Sequence, residues 1–235
     1  MIARSYVLVH SPLTGPAAWG QLPDRLRDEQ IDVVVVDVDD DDEPPFADGY
    51  VRQAVAQIVD AQPAAPIVLV AHSGAGALLP PIAAALRGGK QSARGYVFLD
   101  AVLPLPGQPS RLDLLREEGA GFAASFAASL RAGAWFPTWT VDELADIVPD
   151  HEDRVALVRS LRPRGHAFFT EPLPDTGGWP DAMCGYLRTS AAYDHWVGVA
   201  EQRGWPIVAR DLGHFAALAD PQATRDALLE LIDRL

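Results

Sequence analysis

The chain has 235 residues, of which 49% are hydrophobic, and it carries a formal net charge of −13. A chain of this size can bury one large core, and its acidic balance argues against nucleic acid or an anionic membrane as a partner, because binding to either relies on clustered Lys and Arg. Its one cysteine, Cys184, excludes an intramolecular disulfide, and no thiol, histidine or carboxylate pair shows metal-ligand spacing. We therefore predict one enzyme-sized domain with neither a metal nor a cofactor.

The N-terminal residues enter a strand directly, which leaves no room for a signal peptide, and no apolar run approaches the roughly 20 residues that cross a membrane. A lone cysteine also suits a reducing compartment. The sequence therefore predicts a cytoplasmic protein that binds a small molecule and no membrane. It leaves the oligomeric state open, with a homodimer as one option.

In the first half of the chain, apolar strands alternate with patterns of helical periodicity, which predicts βαβ units. Strands are predicted at residues 6–10, 33–38 and 96–101, and helices at 16–29, 49–61 and 77–86. Pro80 and Pro81 are expected to kink the early turns of the third helix. The acidic run 39–43 lacks the alternation and the glycine of a calcium loop, so we interpret it as a solvated loop.

A buried strand that stops at a serine is the most informative stretch of the sequence. Residues 67–76 read I-V-L-V-A-H-S-G-A-G, an aliphatic run followed by small residues around Ser73. A serine at the tip of a sharp strand-to-helix turn adopts a strained backbone, so its neighbours must be small, as Ala71, Gly74 and Ala75 are. The following helix would direct its N-terminal amides at the same position, where they stabilise an anion. Serines among small residues also occur at ordinary helix N-caps, which is the alternative interpretation.

Residues 104–182 differ from the rest of the chain in their sequence pattern. They contain helical patterns at 119–132, 140–148 and 152–161, show no strand periodicity, and end in the Pro- and Gly-rich E-P-L-P-D-T-G-G-W-P. We interpret this segment as a helical cap inserted into a core made of residues 1–103 and 183–235. After the segment, strands are predicted at 185–190 and 206–211, and helices at 193–203 and 221–235.

Six apolar strands that alternate with helices predict an α/β fold, a mostly parallel, doubly wound sheet covered on both faces. Ligands of such sheets bind beyond the carboxyl ends of the strands. The polar residues at or near those ends are His10, Ser11, Ser73, Asp100, Asp194 and His214. Serine, acid and histidine therefore follow one another along the chain in that order.

This order resembles that of the catalytic triad of the α/β-hydrolase family, and the resemblance covers essentially the whole chain. Residues 71–75 resemble the nucleophile elbow, with alanine at both glycine positions of G-x-S-x-G, and L-G-H-F-A-A-L-A-D-P resembles the loop that carries the histidine. The His10-Ser11 pair takes the place of the family's His-Gly motif. The short chain, Trp19 and this pair are most similar to the small esterase and hydroxynitrile-lyase branch. The resemblance implies that Ser73 is the nucleophile and His214 its base.

The acid of the triad has two candidates. Most α/β-hydrolases carry it after the penultimate strand, where Asp194 lies a residue or two late, and a helix N-cap is an alternative role for this residue. Asp100 ends the preceding strand, at a position that resembles the acid site of some dehalogenase-like members. We favour Asp100, because a carboxylate at the end of a buried strand is costly without a partner.

The oxyanion hole departs from the family pattern. One donor would be the Gly74 amide, and the other usually comes from the residue after the His-Gly pair, which here is Pro12 and has no N–H. The Leu13 amide or the Ser11 hydroxyl is expected to replace it and to face Ser73. His10 is expected to shape this loop through hydrogen bonds.

The sequence predicts a serine-dependent α/β-hydrolase that cleaves an ester, thioester or lactone of a small apolar molecule through an acyl-enzyme. Aromatic residues of the cap are expected to line its pocket, although packing within the cap accounts for them equally well: Trp135, Phe136, Trp139, Phe168 and Phe169. Two other classes remain open. The first is a lyase or eliminating enzyme in which Ser73 and His214 transfer protons, and the second is a non-catalytic protein that binds a small molecule.

Overall fold

The fold is organised around one six-stranded sheet, seen in a computed structural model that describes residues 5–39 and 43–235. The strands, in chain order, are β1 (Ser5–Val9), β2 (Asp32–Val35), β3 (Ile67–Ser73), β4 (Ala93–Ala101), β5 (Met183–Arg188) and β6 (Ile207–Ala209). Every neighbouring pair is parallel, and the spatial order is β2-β1-β3-β4-β5-β6. The predicted α/β fold with about six mostly parallel strands is confirmed. Most of the predicted acidic loop, residues 40–42, lies outside the described residues.

Helices cover both faces of this sheet. In chain order they are α1 (Leu22–Arg27), α2 (Phe46–Ala61), α3 (Leu79–Leu86), α4 (Arg111–Glu118), α5 (Ala120–Arg131), α6 (His151–Arg159), α7 (His166–Thr170), α8 (Asp194–Gln202), α9 (Ala216–Ala219) and α10 (Pro221–Ile232). Alternate strand residues point in opposite directions, so Leu69 and Phe98 pack with α2, α3 and α8, whereas Val68 and Val97 pack with α1 and α10. Among the helices that the structure describes, none is both long and apolar enough to cross a membrane.

The strand order creates a crevice between β1 and β3. From β1 the chain moves to β2 on one side of the sheet and then to β3 on the other side. Ligands of open parallel sheets bind at such switch points, beyond the carboxyl ends of the strands. The loop after β1, which begins at His10, and the end of β3 at Ser73 both lie at this point.

The single helix predicted for residues 16–29 is wrong. A 3₁₀ turn at Pro16–Trp19 is separated from α1 by Gly20, whose φ of 46° lies in the left-handed region. A β-carbon at Gly20 would lie only 2.9 Å from the Leu218 side chain, so the chain turns here against α9. The W-x-x-L-x-x-x-L spacing marks buried side chains on two short elements rather than one face of a continuous helix.

The expected kink at Pro80 and Pro81 is also wrong. Residues Gly74–Leu78 form a 3₁₀ turn, and α3 begins only at Leu79, so both prolines occupy its first turn. Backbone N–H groups in the first turn of a helix have no intrahelical partner, and proline is therefore tolerated there.

The helix predicted for residues 140–148 is replaced by successive turns. Thr140 and Glu143 do form the reciprocal contacts of a helix start, since the Glu143 carboxylate accepts from the Thr140 amide at 2.8 Å. The chain continues with only isolated turn bonds, such as the one from the Val148 amide to the Leu144 carbonyl, before Pro149. Pro149 disfavours the helical conformation at Val148 and so prevents a helix from continuing past this point.

Helices α4 to α7 fall between β4 and β5, in the segment predicted to be a cap. The sequence prediction missed α4 and α7, although α4 begins with a capping box in which Ser110 and Asp113 bond each other's amides. A buried cluster joins α4, α5 and α7 to Phe46 of α2, through Leu112, Ala127, Leu130, Phe168 and Phe169. The division into a core of residues 1–103 and 183–235 and a cap of residues 104–182 stays a prediction.

Candidate active site

Ser73 ends β3 in a strained backbone conformation. Its φ is 58° and its ψ is −126°, and the 3₁₀ turn Gly74–Leu78 starts at the next residue. A non-glycine residue in such a conformation costs of order 1–3 kcal/mol, so the surrounding packing must hold it. Ala71 and Ala75, two residues before and after it, are completely buried. Small side chains at both positions let the strand turn sharply and present Ser73 at the edge of the sheet.

Gly76 holds this turn close to the neighbouring strand. A β-carbon at Gly76 would lie 2.0 Å from the Val102 carbonyl oxygen and 3.1 Å from the Ala101 β-carbon. The Val102 amide in turn donates a hydrogen bond of 3.1 Å to the Ser73 carbonyl. The turn after the serine therefore packs directly on the backbone at the end of β4, and only glycine fits at position 76.

Asp100 occupies a bulge in β4. Leu99 pairs with His72, but Ser73 pairs with Ala101, so Asp100 is an extra residue without a partner in β3. Its φ of 39° is in the left-handed region. Bulges re-aim side chains, and this one turns the carboxylate of a buried strand towards the end of the sheet.

The Asp100 carboxylate is fully buried and hydrogen-bonded on every side. It accepts from the Thr189 amide at 2.6 Å, from the Ser190 amide at 3.1 Å and from the Ser190 hydroxyl at 2.5 Å, and His214 Nδ1 lies 3.4 Å from Oδ2. Burial would raise the pKa of Asp100, but the bonds from His214, Ser190 and Thr189 outweigh it and hold the pKa below its ordinary value. An ionised Asp100 fixes the proton of His214 on Nδ1 and leaves Nε2 as the acceptor.

Asp194, the other candidate acid, lies elsewhere. It is the first residue of α8, its side chain is largely exposed, and it accepts a hydrogen bond of 2.8 Å from Arg188 Nε. The alternative role as a helix N-cap is wrong, because Tyr193 occupies the N-cap position. The structure therefore brings Asp100, and not Asp194, against the imidazole of His214.

His214 is held between two rings in the loop after β6. Its imidazole lies 4.5 Å from that of His72 and 4.9 Å from the Tyr193 ring, measured between centroids. His72 Nε2 donates to the His214 carbonyl oxygen at 2.9 Å. Burial lowers the pKa of His72, so this histidine is neutral and acts as a support for the loop.

Tyr193 is a site residue that the sequence analysis did not single out. Its hydroxyl lies 3.1 Å from Ser73 Oγ, and its ring is stacked on His214 with an interplanar angle of 6°. Burial raises the pKa of Tyr193, so the hydroxyl stays protonated. Among the described residues, the Ser73 hydroxyl is bonded to Tyr193 and no hydrogen bond joins it to His214. The loop Thr189–Tyr193 carries no motif that could have identified this residue.

The loop after β1 brings Ser11 close to the elbow. A β-carbon on Gly74 would lie 3.3 Å from Ser11 Oγ and 3.8 Å from Pro12 Cδ, so the two segments are in direct contact. The Leu13 amide donates to Ser11 Oγ at 3.3 Å. Because Ser11 Oγ accepts from this amide, its own proton can be donated towards the cavity. Ser11 and Leu13 line that cavity together with Ser73 and Gly74.

His10 holds the loop after β1 in place through hydrogen bonds. Its Nδ1 donates to the Ser11 carbonyl at 2.8 Å, and its Nε2 accepts from the Val38 amide at 3.1 Å. The Tyr50 hydroxyl donates to the His10 carbonyl. Burial lowers the pKa of His10 to about 4, which keeps it in the neutral form that this pair of bonds requires. His10 shapes the loop without lining the cavity.

Ser73, Tyr193 and His214 lie at one cavity of about 520 Å³. Its lining is mainly apolar and aromatic, with contributions from Leu13, Leu114, Leu115, Phe122, Phe126, Phe136, Trp139, Leu144, Ile147, Phe169 and Phe215. Two of the predicted lining residues lie outside it. The Trp135 side chain is 60% exposed and covers Gly165, and Phe168 is buried in the cluster with Phe46. Among the described residues, no group of three His, Cys, Asp or Glu side chains could hold a metal ion.

A parallel sheet with a strained serine at the switch point, and a buried acid and histidine beside it, defines the α/β-hydrolase class. The sequence profile of the alpha/beta hydrolase family matches residues 6–227, so the chain belongs to this family. No protein with a curated description matches the chain in sequence.

Several solved structures share the whole fold. An extracellular α/β-hydrolase from a Paenibacillus species, described as structurally and functionally homologous to tobacco salicylic acid binding protein 2, superposes with a TM-score of 0.75 at 16% identity over 97% of this chain and 98% of that one. Polyneuridine aldehyde esterase gives 0.70 at 18% identity over the same shares. Tomato methylketone synthase I, solved with 2-tridecanone, gives 0.67 at 17% identity over 100% and 99%. At these identities the likeness establishes the fold alone.

Proposed function

We propose that this protein is a serine-dependent carboxylic ester hydrolase that cleaves an ester, thioester or lactone through an acyl-enzyme. The observation that carries the proposal is the contact between Asp100 and His214 next to a serine held at a positive φ. A serine hydroxyl is a poor nucleophile near pH 7 and needs a base within hydrogen-bond reach, which an oriented histidine provides.

In the proposed reaction, His214 Nε2 removes the Ser73 proton as Oγ attacks the substrate carbonyl. The negative charge that develops on the carbonyl oxygen is stabilised by the Gly74 amide and the Ser11 hydroxyl. His214 then protonates the leaving group, and a water molecule activated by the same nitrogen hydrolyses the acyl-enzyme. The Ser73 hydroxyl must turn its proton towards His214 for this step, and hydrogen bonds between a nucleophile and its base are often long before substrate binds and tighten in the complex.

The cavity supports a small, mainly apolar substrate as the partner. A volume of about 520 Å³ accommodates a molecule of moderate size, and Phe136 and Trp139 provide part of the apolar wall. We include in the proposal that residues 104–182 act as the cap over this substrate. A buried, unpaired Cys184 suits a reducing compartment, so we place the activity in the cytoplasm.

Covalent labelling tests the proposal. A p-nitrophenyl alkylphosphonate should transfer its alkylphosphonyl group to Ser73 Oγ, which adds the mass of that group to the peptide that contains Ser73, with release of p-nitrophenol. Ser73→Ala should abolish labelling, and His214→Ala should slow it by several orders of magnitude. Ser125→Ala, at an exposed serine of α5, is the matched control and should label normally. A folded protein that phosphonates of several chain lengths never label would contradict the proposal.

Proton-transfer chemistry without an acyl-enzyme is a second candidate. The bond between Ser73 and Tyr193 favours it, because two hydroxyls and one imidazole then form a proton-relay set around the cavity. The similarity to a protein named methylketone synthase agrees with varied chemistry on this fold. Turnover that is lost in both Ser73→Ala and Tyr193→Phe, together with failure to trap an acyl-enzyme, would favour this candidate over hydrolysis.

A further inference from the structure

Two carboxylates that line the cavity, Glu118 and Glu143, have no role in the proposed triad, and Glu143 is exposed and accepts hydrogen bonds from Thr140. Glu118 is the last residue of α4, and it lies in the same cavity wall as Phe122 and Phe126 of the next helix. A carboxylate that is partly removed from water among aromatic rings is costly unless it has a partner. Its presence in this wall therefore requires an explanation.

A structural partner accounts for only one of its two oxygens. Oε1 accepts a hydrogen bond of 2.6 Å from Trp196 Nε1, and the Trp196 ring is fully buried. Oε2 has no hydrogen-bond partner among the described residues and is exposed to solvent, and Glu118 as a residue lines the cavity. The amide oxygen of a glutamine would satisfy the indole N–H equally well. The bond to Trp196 thus does not require a charged group at this position.

Among the described residues, no ion pair involves the second oxygen of Glu118. Burial raises the pKa of Glu118, and the hydrogen bond from Trp196, followed by the nearby His195 and His214, opposes that effect. Arg111 lines the same cavity, but its guanidinium pairs with Glu171 at 3.4 Å and covers the Phe168 ring at 3.7 Å. The net charge of −13 adds a negative field that attracts cations to the molecule as a whole.

We propose that Glu118, with the aromatic wall formed by Phe122 and Phe126, binds a positively charged group of the substrate, such as a tertiary or quaternary ammonium. The faces of aromatic rings attract ammonium groups, and the partly buried carboxylate of Glu118 strengthens the attraction. The inference rests on the ester hydrolase function proposed above. It narrows the substrate to an ester with an apolar body and a cation remote from the scissile carbonyl.

Paired substrates test this inference. One series consists of p-nitrophenyl esters of acyl chains that end in trimethylammonium, and the second consists of esters of equal length that end in the neutral, isosteric tert-butyl group. At about pH 8, the ratio of kcat/KM for the cationic over the neutral ester should exceed about tenfold at the best chain length, and Glu118→Gln should reduce it about tenfold. The exposed neighbour Glu117 is the matched control, since Glu117→Gln removes the same charge from the other side of α4 and should leave the ratio unchanged.

A ratio that Glu118→Gln does not change would overturn the inference. A third series with terminal hydroxyl groups separates charge from hydrogen bonding. A preference for the hydroxyl esters that depends on Glu118, without one for the cationic esters, would also overturn it.

Binding of phenyltrimethylammonium, measured by calorimetry, does not depend on hydrolysis. We expect about tenfold weaker binding to Glu118→Gln and equal binding to Glu117→Gln. Equal binding to all three proteins, or no binding to any, would contradict the cation site. If no ester is cleaved and Ser73 is never labelled, the hydrolase function fails, while the calorimetry still decides whether Glu118 binds cations.

Discussion

The ring of Tyr193 lies flat on the imidazole of His214, with 4.9 Å between centroids and 6° between planes. The same residue places its hydroxyl 3.1 Å from Ser73 Oγ. One side chain therefore contacts both the base and the nucleophile, through two different parts. The ring stacks on His214 and orients it, whereas the hydroxyl shares a hydrogen bond with the nucleophile.

Two substitutions separate these contacts. Tyr193→Phe removes only the hydroxyl, and a single neutral hydrogen bond contributes about 0.5–1.5 kcal/mol, so kcat should change by no more than about tenfold. Tyr193→Ala also removes the stacked ring and leaves a void beside His214, so kcat should fall much further. Steady-state kinetics on one p-nitrophenyl ester measures both. Equal losses in the two variants would mean that the ring does not position the base.

Substitutions at the two candidate acids, Asp100 and Asp194, should lower kcat to very different extents. Asp100→Asn should lower kcat by about 10⁴, because an amide in place of the carboxylate no longer holds the proton of His214 on Nδ1. Asp194→Asn removes only an exposed contact with Arg188, and its effect should stay within about threefold. Single-turnover acylation rates check both values. A larger loss from Asp194→Asn would transfer the orienting role to that residue.

The parts of this site that the sequence predicts are those that local patterns encode. Ser73 follows a buried strand among small residues, and His214 lies in a short apolar loop after the last strand, so both could be located without coordinates. The periodicity of the strands likewise predicts the sheet, because alternation and burial depend on nearby residues.

The remaining parts depend on contacts between distant segments. Asp100 is turned towards His214 by a bulge whose register exists only once β3 and β4 pair. Tyr193 and Glu118 reach the cavity from a turn and from the end of a helix that the sequence did not predict as site elements. The capping pattern at Thr140 was misleading, since a local helix start does not determine whether a helix propagates.

The neutral state of His10 predicts a pH effect on stability. Burial lowers its pKa from 6.5 to about 4, so between these values the unfolded chain binds a proton that the folded protein does not. Stability should therefore fall as the pH decreases through this window, by about 1.4 kcal/mol per pH unit for this group. In His10→Gln, the difference in unfolding free energy between about pH 7 and pH 5 should shrink by ~2 kcal/mol.

Urea unfolding at the two pH values measures that difference. His151→Gln is the matched control, because this histidine is exposed on α6 and its replacement should leave the difference in place. An unchanged pH dependence in His10→Gln would show that His10 is not buried as a neutral group.

The close packing at Gly76 predicts a loss of both stability and reactivity. In Gly76→Ala the new β-carbon would overlap the Val102 carbonyl oxygen, so the turn after Ser73 must move, at a cost of about 3 kcal/mol or more. In Gly121→Ala the new β-carbon in α5 meets nothing within 4 Å, so this variant should be as stable as the parent or slightly more stable. The midpoint temperature of thermal unfolding and the rate of phosphonate labelling should both fall in Gly76→Ala, and neither should fall in Gly121→Ala. Normal labelling of that variant would mean that the position of the elbow does not depend on this contact.

The oxyanion hole is the point at which this chain departs most from its family, because Pro12 has no N–H to donate. Ser11 Oγ accepts from the Leu13 amide and touches Gly74, so its proton is available to the developing oxyanion. Removal of one such donor costs about 2.7–4 kcal/mol, and Ser11→Ala should therefore lower kcat by about 10² to 10³ with little change in KM.

Thr14→Val is the matched control, since Thr14 lines the same cavity and its own hydroxyl contacts the Ser11 carbonyl at 3.5 Å. If Ser11→Ala lowers kcat by less than about tenfold, the donor role belongs to the Leu13 amide, because this substitution removes the hydroxyl to which that amide donates. An equal loss in both variants would mean that the loop as a whole, and not the Ser11 hydroxyl, supports the reaction.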